Sequence, residues 1–153
     1  MKLSDFLDEK LVAVPQGAQT KGEAIAGLVD LVAAGGLTTS REQLFNAVMA
    51  REAQRTTGIG RGFAVPHAKC DAVTKLVVAF GRPATPVDFG SIDGQPVRLV
   101  ALLVTPTGDT GRHLQALATL SRLVMNEPVY ADLLQAKDAK SFVEIIRNHE
   151  ETL

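Results

Sequence analysis

A three-layer α/β/α sandwich around a mixed β-sheet is the fold class this sequence predicts, and three observations predict it. Helical periodicity occupies both ends of the chain, from Thr20 to about Glu52 and again from His113 onward. Between them lie two β-prone apolar segments, Lys75 to Gly81 and Val97 to Val104, typical of strands covered on both faces. No helix separates those strands, so some neighbours must run antiparallel and the sheet must be mixed. With 153 residues the chain has the length of one ordinary domain, and residues 1–153 are read as one unit.

Taken in order, Leu3 to Leu7 predicts a single turn and Lys10 to Val14 a short first strand before Pro15. Thr20 and Glu23 form a capping box, and Ile25, Leu28, Val29 and Val32 recur at helical spacing until Gly35-Gly36 ends the helix. Ser40 with Gln43 opens a second helix that turns Leu44, Ala47 and Val48 inward. Extended structure follows from Thr56, with a strand over Gly62 to Val65 that Pro66 stops. Pro83 and Pro86 close the strand at Lys75 to Gly81, and Ile92 to Gln95 makes a turn before the apolar strand Val97 to Val104, which belongs at the centre of the sheet. The loop TPTGDTG leads into a helix whose inward positions are expected at Leu114, Leu117, Leu120 or Ser121, and Val124. Helices at Val129 to Gln135 and Ala139 to Asn148, the latter capped by Asp138, complete the chain.

Composition excludes several classes of function. Sixteen basic and seventeen acidic residues leave a net charge of -1, and no Lys/Arg cluster offers a duplex a basic face. No Trp is present, so a stacking platform for single-stranded nucleic acid or sugar rings is not expected. Apolar runs fall far short of the ~20 residues that span a bilayer, and Met1 to Lys10 is charged too early for a secretory signal. The lone Cys70 forms no internal disulfide and fits a reducing compartment, so a cytoplasmic location without membrane insertion is expected.

Three histidines are candidates for chemistry. His149 sits among Arg147, Asn148, Glu150 and Glu151 and reads as a solvated terminal residue. His67 follows three glycines, an apolar run and Pro66. By residue type it is a histidine satisfied at a sheet edge; by context it is a nucleophile, because neutral imidazole keeps one free lone pair. If the other ring nitrogen donates to a backbone carbonyl, tautomer and direction are both set. The glycines are expected to let main-chain N–H groups approach an anion. His113 either packs the first turn of its helix or adds to an anion site at a helix N-terminus, and Arg51 either suits the helix dipole or grips phosphate oxygens. Glu52 and Asp109 read as ordinary polar residues. His67, Cys70 and His113 match no zinc spacing and lack an evident fourth ligand, so no metal is expected. Phe63, Val65 and Ala68 lie near any docking surface around His67, with core packing the commoner fate of the first two.

The sequence resembles a known family: the fructose/mannitol-type (type 2) enzyme IIA domains of the bacterial phosphoenolpyruvate-dependent sugar phosphotransferase system, including the nitrogen-regulatory IIA proteins. The likeness runs from the helix at Thr20 through Arg51-Glu52, TTGIGRGFAVPHAK, VDFGSIDGQPV from Val87 to Val97, and HLQALATLSRL from His113 to Leu123. Its specific part is the Pro-His element with the glycines before it. The resemblance implies the mannitol-type enzyme IIA fold. It also implies that His67 accepts a phosphoryl group from phospho-HPr, or a nitrogen-branch homologue, and passes it to an enzyme IIB. It makes His113 the second active-site histidine and Arg51 the basic residue near the phosphohistidine. No nucleotide or other cofactor is implied, since the donor is already a phosphoprotein. The resemblance also leaves room for a regulatory module whose phosphorylation state controls binding to a transporter or kinase, and for one that no longer transfers phosphate.

Overall fold

The structure, a computed structural model, describes residues 1–150. After two short 3-10 turns the elements run β1 (Val12–Gln16), α1 (Lys21–Ala34), α2 (Arg41–Gln54), β2 (Gly58–Gly60), β3 (Phe63–Ala64), β4 (His67–Lys69), β5 (Val77–Pro83), β6 (Leu99–Thr105), α3 (Thr110–Met125), α4 (Glu127–Gln135) and α5 (Ala139–His149). The helices start where their caps place them. Thr20 Oγ1 accepts from Glu23 N, Ser40 Oγ from Gln43 N and Asp138 Oδ1 from Ser141 N, satisfying donors that the first turn leaves open.

β6 is the central strand, and all seven of its residues are buried. Antiparallel β5 lies on one side in the register Val77↔Val104 to Gly81↔Val100; β3 and β4 lie parallel on the other. β1 extends the sheet beyond β5 and β2 beyond β3, so parallel and antiparallel pairs coexist. Alternation along the strands then feeds two cores. Val78, Phe80, Leu99, Ala101 and Leu103 face α3, α4 and α5, while Val77, Ala79, Val100, Leu102 and Val104 face α1 and α2. Each large aliphatic side chain buried this way contributes about 1.5–3 kcal/mol relative to exposure. The Phe80 and Phe142 rings, centroids 5.1 Å apart, tie α5 to the sheet.

Several boundaries differ from expectation. The first strand begins two residues later than its apolar pattern suggests, because Glu9–Leu11 form a 3-10 turn, and it continues through Pro15 to Gln16. β5 likewise runs to Pro83, which pairs with Gln16. Between β5 and β6, Val87 and Val97 form an isolated antiparallel bridge. Pro66 interrupts its strand without ending it. Lacking an N–H, it leaves a gap between β3 and β4, yet its carbonyl accepts from Leu103 N and the register against β6 resumes unshifted at His67↔Leu103. On α3 the expected inward positions Leu120 and Val124 are buried and Leu117 packs against the core, whereas Leu114 is 60% exposed and His113, Ala116 and Leu123 complete the buried face.

Candidate functional site

Strand alternation and one helix bring the two candidate histidines together. His67 shares a parity with Phe63 and Val65, which pack in the core beneath α3, so its ring lies on the α3 side of the sheet. His113 projects from the first turn of α3 onto the same face. The ring centroids are 5.5 Å apart with planes tilted by 57°.

The His67 ring is held by its own strand. Its Nδ1 lies 2.7 Å from Val65 O, and because a carbonyl can only accept, Nδ1 carries the proton and Nε2 keeps its lone pair. The gap at Pro66 makes this possible. Burial is the main influence lowering the His67 pKa below the usual histidine value; the Val65 bond opposes it, the Arg51 charge adds to it and the Glu52 charge opposes it. Neutral imidazole is therefore the form present at neutral pH.

His113 is 4% exposed, and its Nδ1 lies 2.7 Å from Oγ1 of the buried Thr105. The Thr105 hydroxyl can donate to Nδ1 or accept from it; in the first arrangement the His113 proton sits on Nε2. Burial chiefly, then the charges of His67 and Lys69, push the His113 pKa down to about 4. Lys69 follows His67 by two residues on the same strand face, and its Nζ donates to Thr110 Oγ1 at 3.1 Å.

Arg51, near the end of α2, reaches the site from the other helical layer. It lines a shallow depression with His67, Thr57, Gly58, Ile59 and Ile92, and its Nη1 donates to Arg55 O at 3.2 Å. Glu52, read from sequence as ordinary, is buried and organises this wall. Its carboxylate accepts from Thr57 N at 3.0 and 3.1 Å and from Thr57 Oγ1 at 3.0 Å, and it pairs with Lys21 Nζ at 3.2 Å. Thr57 O in turn accepts from Val65 N, two residues before His67.

Of the main-chain donors along this stretch, Thr57 N donates to Glu52, Gly58 N to Thr56 Oγ1, Arg61 N to Asp93 and Val65 N to Thr57, so these four are already committed. The glycines also serve packing and turning. A Cβ on Gly58 would sit 2.1 Å from Ser91 Oγ, and Gly60 and Gly62 take positive φ at the β2–β3 turn. Phe63, Val65 and Ala68 are buried, so the apolar surface beside His67 comes from Ile59 and Ile92, 49% and 74% exposed. His149 closes α5 and is partly buried, while Glu150 accepts from Ser4 N and Ser4 Oγ near the start of the chain. Thr105 and Glu52 are the residues that sequence reasoning missed. The signal for Thr105 was one hydroxyl ending an otherwise apolar strand; for Glu52 it was a carboxylate five residues before the hydroxyl it clamps.

A three-layer sandwich with these matching segments defines the class, an enzyme IIA of the phosphotransferase system. Residues 5–149 match the family described as phosphoenolpyruvate-dependent sugar phosphotransferase system, EIIA 2, and the chain belongs to that family. It is 36% identical over 144 residues to the fructose-specific EIIA component of Haloferax volcanii, covering 94% of each chain. It is 33% identical over 147 residues to a nitrogen regulatory protein of Bradyrhizobium diazoefficiens, covering 95% of each. Against the fructose-specific EIIABC component of Bacillus subtilis the identity is 35% over 98% of this chain, which spans 24% of that longer protein. Among solved structures, nitrogen regulatory protein IIA-Ntr of Neisseria meningitidis superposes with a TM-score of 0.87 at 26% identity, covering 94% of this chain and 98% of that one. The complex of enzyme IIAMTL with phosphorylated enzyme IIBMTL from Escherichia coli superposes with a TM-score of 0.79 at 25% identity, covering 93% and 97%.

Among the described residues, no helix is long and apolar enough to cross a membrane, and no group of three or more His, Cys, Asp or Glu side chains could hold a metal ion.

Proposed function

We propose that this protein is a cytoplasmic phosphocarrier in which His67 accepts a phosphoryl group from phospho-HPr, or its nitrogen-branch homologue, and passes it to an enzyme IIB. The observation that carries this reading is the committed Nδ1–H of His67, 2.7 Å from Val65 O, which leaves Nε2 as the nucleophile beside His113 and Arg51. As the Nε2 lone pair forms the new N–P bond, the bond to the donor imidazole breaks and its electrons return to that ring. No proton leaves His67. The protein contributes orientation and charge stabilisation, which is most of what phosphoryl transfer asks of it. His113 Nε2–H donates to a phosphoryl oxygen, and Arg51 balances the charge added, about two units. Donor and acceptor dock over Ile59 and Ile92. The solved complex with phosphorylated enzyme IIBMTL supports an enzyme IIB as acceptor.

Incubation with phosphoenolpyruvate, enzyme I and HPr tests this directly: label is expected on His67 and is lost in His67→Ala. Undiminished labelling of His67→Ala overturns the assignment.

The nitrogen regulatory relatives support a second use of the same chemistry, in which the phosphorylated and unphosphorylated forms differ in binding to a transporter or kinase. Binding assays with both forms separate the uses. A purely regulatory protein finds no sugar-specific enzyme IIB acceptor, and a module that no longer transfers takes no label.

A further inference from the structure

At the end of the sheet opposite the histidines, three open depressions lie side by side as a groove walled throughout by Arg98. β6 runs from this end to Thr105 beside His113, and His67 lies four register positions along β6 from Leu99, about 13 Å at strand spacing. Arg98 lines all three depressions, Arg61 and Tyr130 two of them, and Arg82 the third, while Leu134 supplies apolar wall. Arg61 sits in the β2–β3 turn, Arg98 immediately before β6 and Arg82 in β5. Three cations thus form a row across adjacent strand ends, roughly 5 Å apart per strand step.

These guanidinium groups are held in place yet little neutralised. Arg61 adopts a positive φ of 62°, pinned by its N–H to Asp93 Oδ2 and by the Tyr130 hydroxyl donating to its carbonyl at 2.8 Å. Its side chain pairs with Glu127, a carboxylate 79% exposed, and such pairs are weak. Asp93 also accepts from Gln95 N. Arg98 folds over Gly62, where an added Cβ would come within 3.1 Å of its Nε, and it has no carboxylate partner among the described residues. Arg82 spends one donor on Leu133 O and keeps four. The chain as a whole carries a net charge of -1, so this row of three arginines is a local concentration of positive charge.

We propose that this groove docks an extended acidic segment of a partner protein, whose successive carboxylates meet Arg61, Arg98 and Arg82. An elongated, open row matches a chain better than a compact anion, which would engage one depression and leave the others empty. The surface does not include His67 or Arg51.

Fluorescence anisotropy with a labelled octapeptide alternating glutamate and proline tests the proposal on the full chain. Saturable one-to-one binding is expected, weakening as salt is raised and absent for the glutamine-proline analogue. Arg98→Glu reverses a charge at the centre of the row and should weaken binding at least about tenfold, and Arg61→Gln about threefold. Both variants should melt within a few degrees of the parent. Amide shifts on binding should cluster at residues 61, 82 and 98. Binding by Arg98→Glu within twofold of the parent overturns the proposal, as do shifts centred on His67. Equal affinity for inorganic pyrophosphate, with displacement of the peptide, overturns it in favour of a small-anion site.

Discussion

Glu52→Gln retains the shape of a buried side chain and removes the charge on which the wall of the His67 site depends. The carboxylate takes a hydrogen bond from Thr57 N to each oxygen, another from Thr57 Oγ1, and the ammonium of Lys21 at 3.2 Å. Hydrogen bonds to a buried charged acceptor contribute about 1.5–3 kcal/mol. The Lys21 pair adds up to about 1 kcal/mol, because the lysine side chain is 28% exposed and stays hydrated when released. The amide also turns an NH2 group toward donors. A loss of roughly 2–4 kcal/mol lowers the melting temperature by about 5–15 °C in a chain of this length. Calorimetry measures it, and a cycle with Lys21→Met isolates the pair. A second readout is specific to the site: the Glu52 charge raises the His67 pKa, so Glu52→Gln should lower it further in an NMR titration. Melting within about 1 °C of the parent together with an unmoved His67 titration would refute Glu52 as the organiser of this wall.

Acid should destabilise the fold before carboxylates titrate. Unfolded His113 takes a proton below its ordinary 6.5 while the folded one waits until about 4, so the unfolded state binds more protons across that window. Stability therefore rises with pH there and falls by at most about 3 kcal/mol on acidification through it; His67 acts in the same direction. Denaturant midpoints measured from pH 7 to 4 should show this dependence flattened in His113→Asn, and an unchanged profile would count against it. Thr105→Val deprives His113 Nδ1 of its partner at a cost of about 1–3 kcal/mol. It should also shift the imidazole nitrogen resonances of His113 and slow phosphoryl uptake, and unaltered resonances would contradict the hydrogen bond between the two side chains.

Much of this architecture could be read locally. Caps at Thr20, Ser40 and Asp138 work through atoms three residues away, so four-residue patterns located three helix starts. The buried strands declared themselves through uninterrupted apolar runs. Errors fell where a distant element chose between local options: whether Leu114 on α3 faced the sheet and whether Pro66 ended its strand.

The linear order of residues was enough to point to the layered α/β class and the family and to nominate His67 as a candidate, because hydrophobic period and a Pro-His element after glycines are properties of neighbours in the chain. It could not show that Val65 O sets the His67 tautomer, that Thr105 hydrogen-bonds His113, or that Glu52 clamps Thr57. The row of Arg61, Arg82 and Arg98 was equally invisible, since no two of them lie within fifteen positions of each other and charge adds by distance in space. The meeting of His67, His113 and Thr105 exists only once parallel β4 and β6 set one register and α3 closes over their shared face.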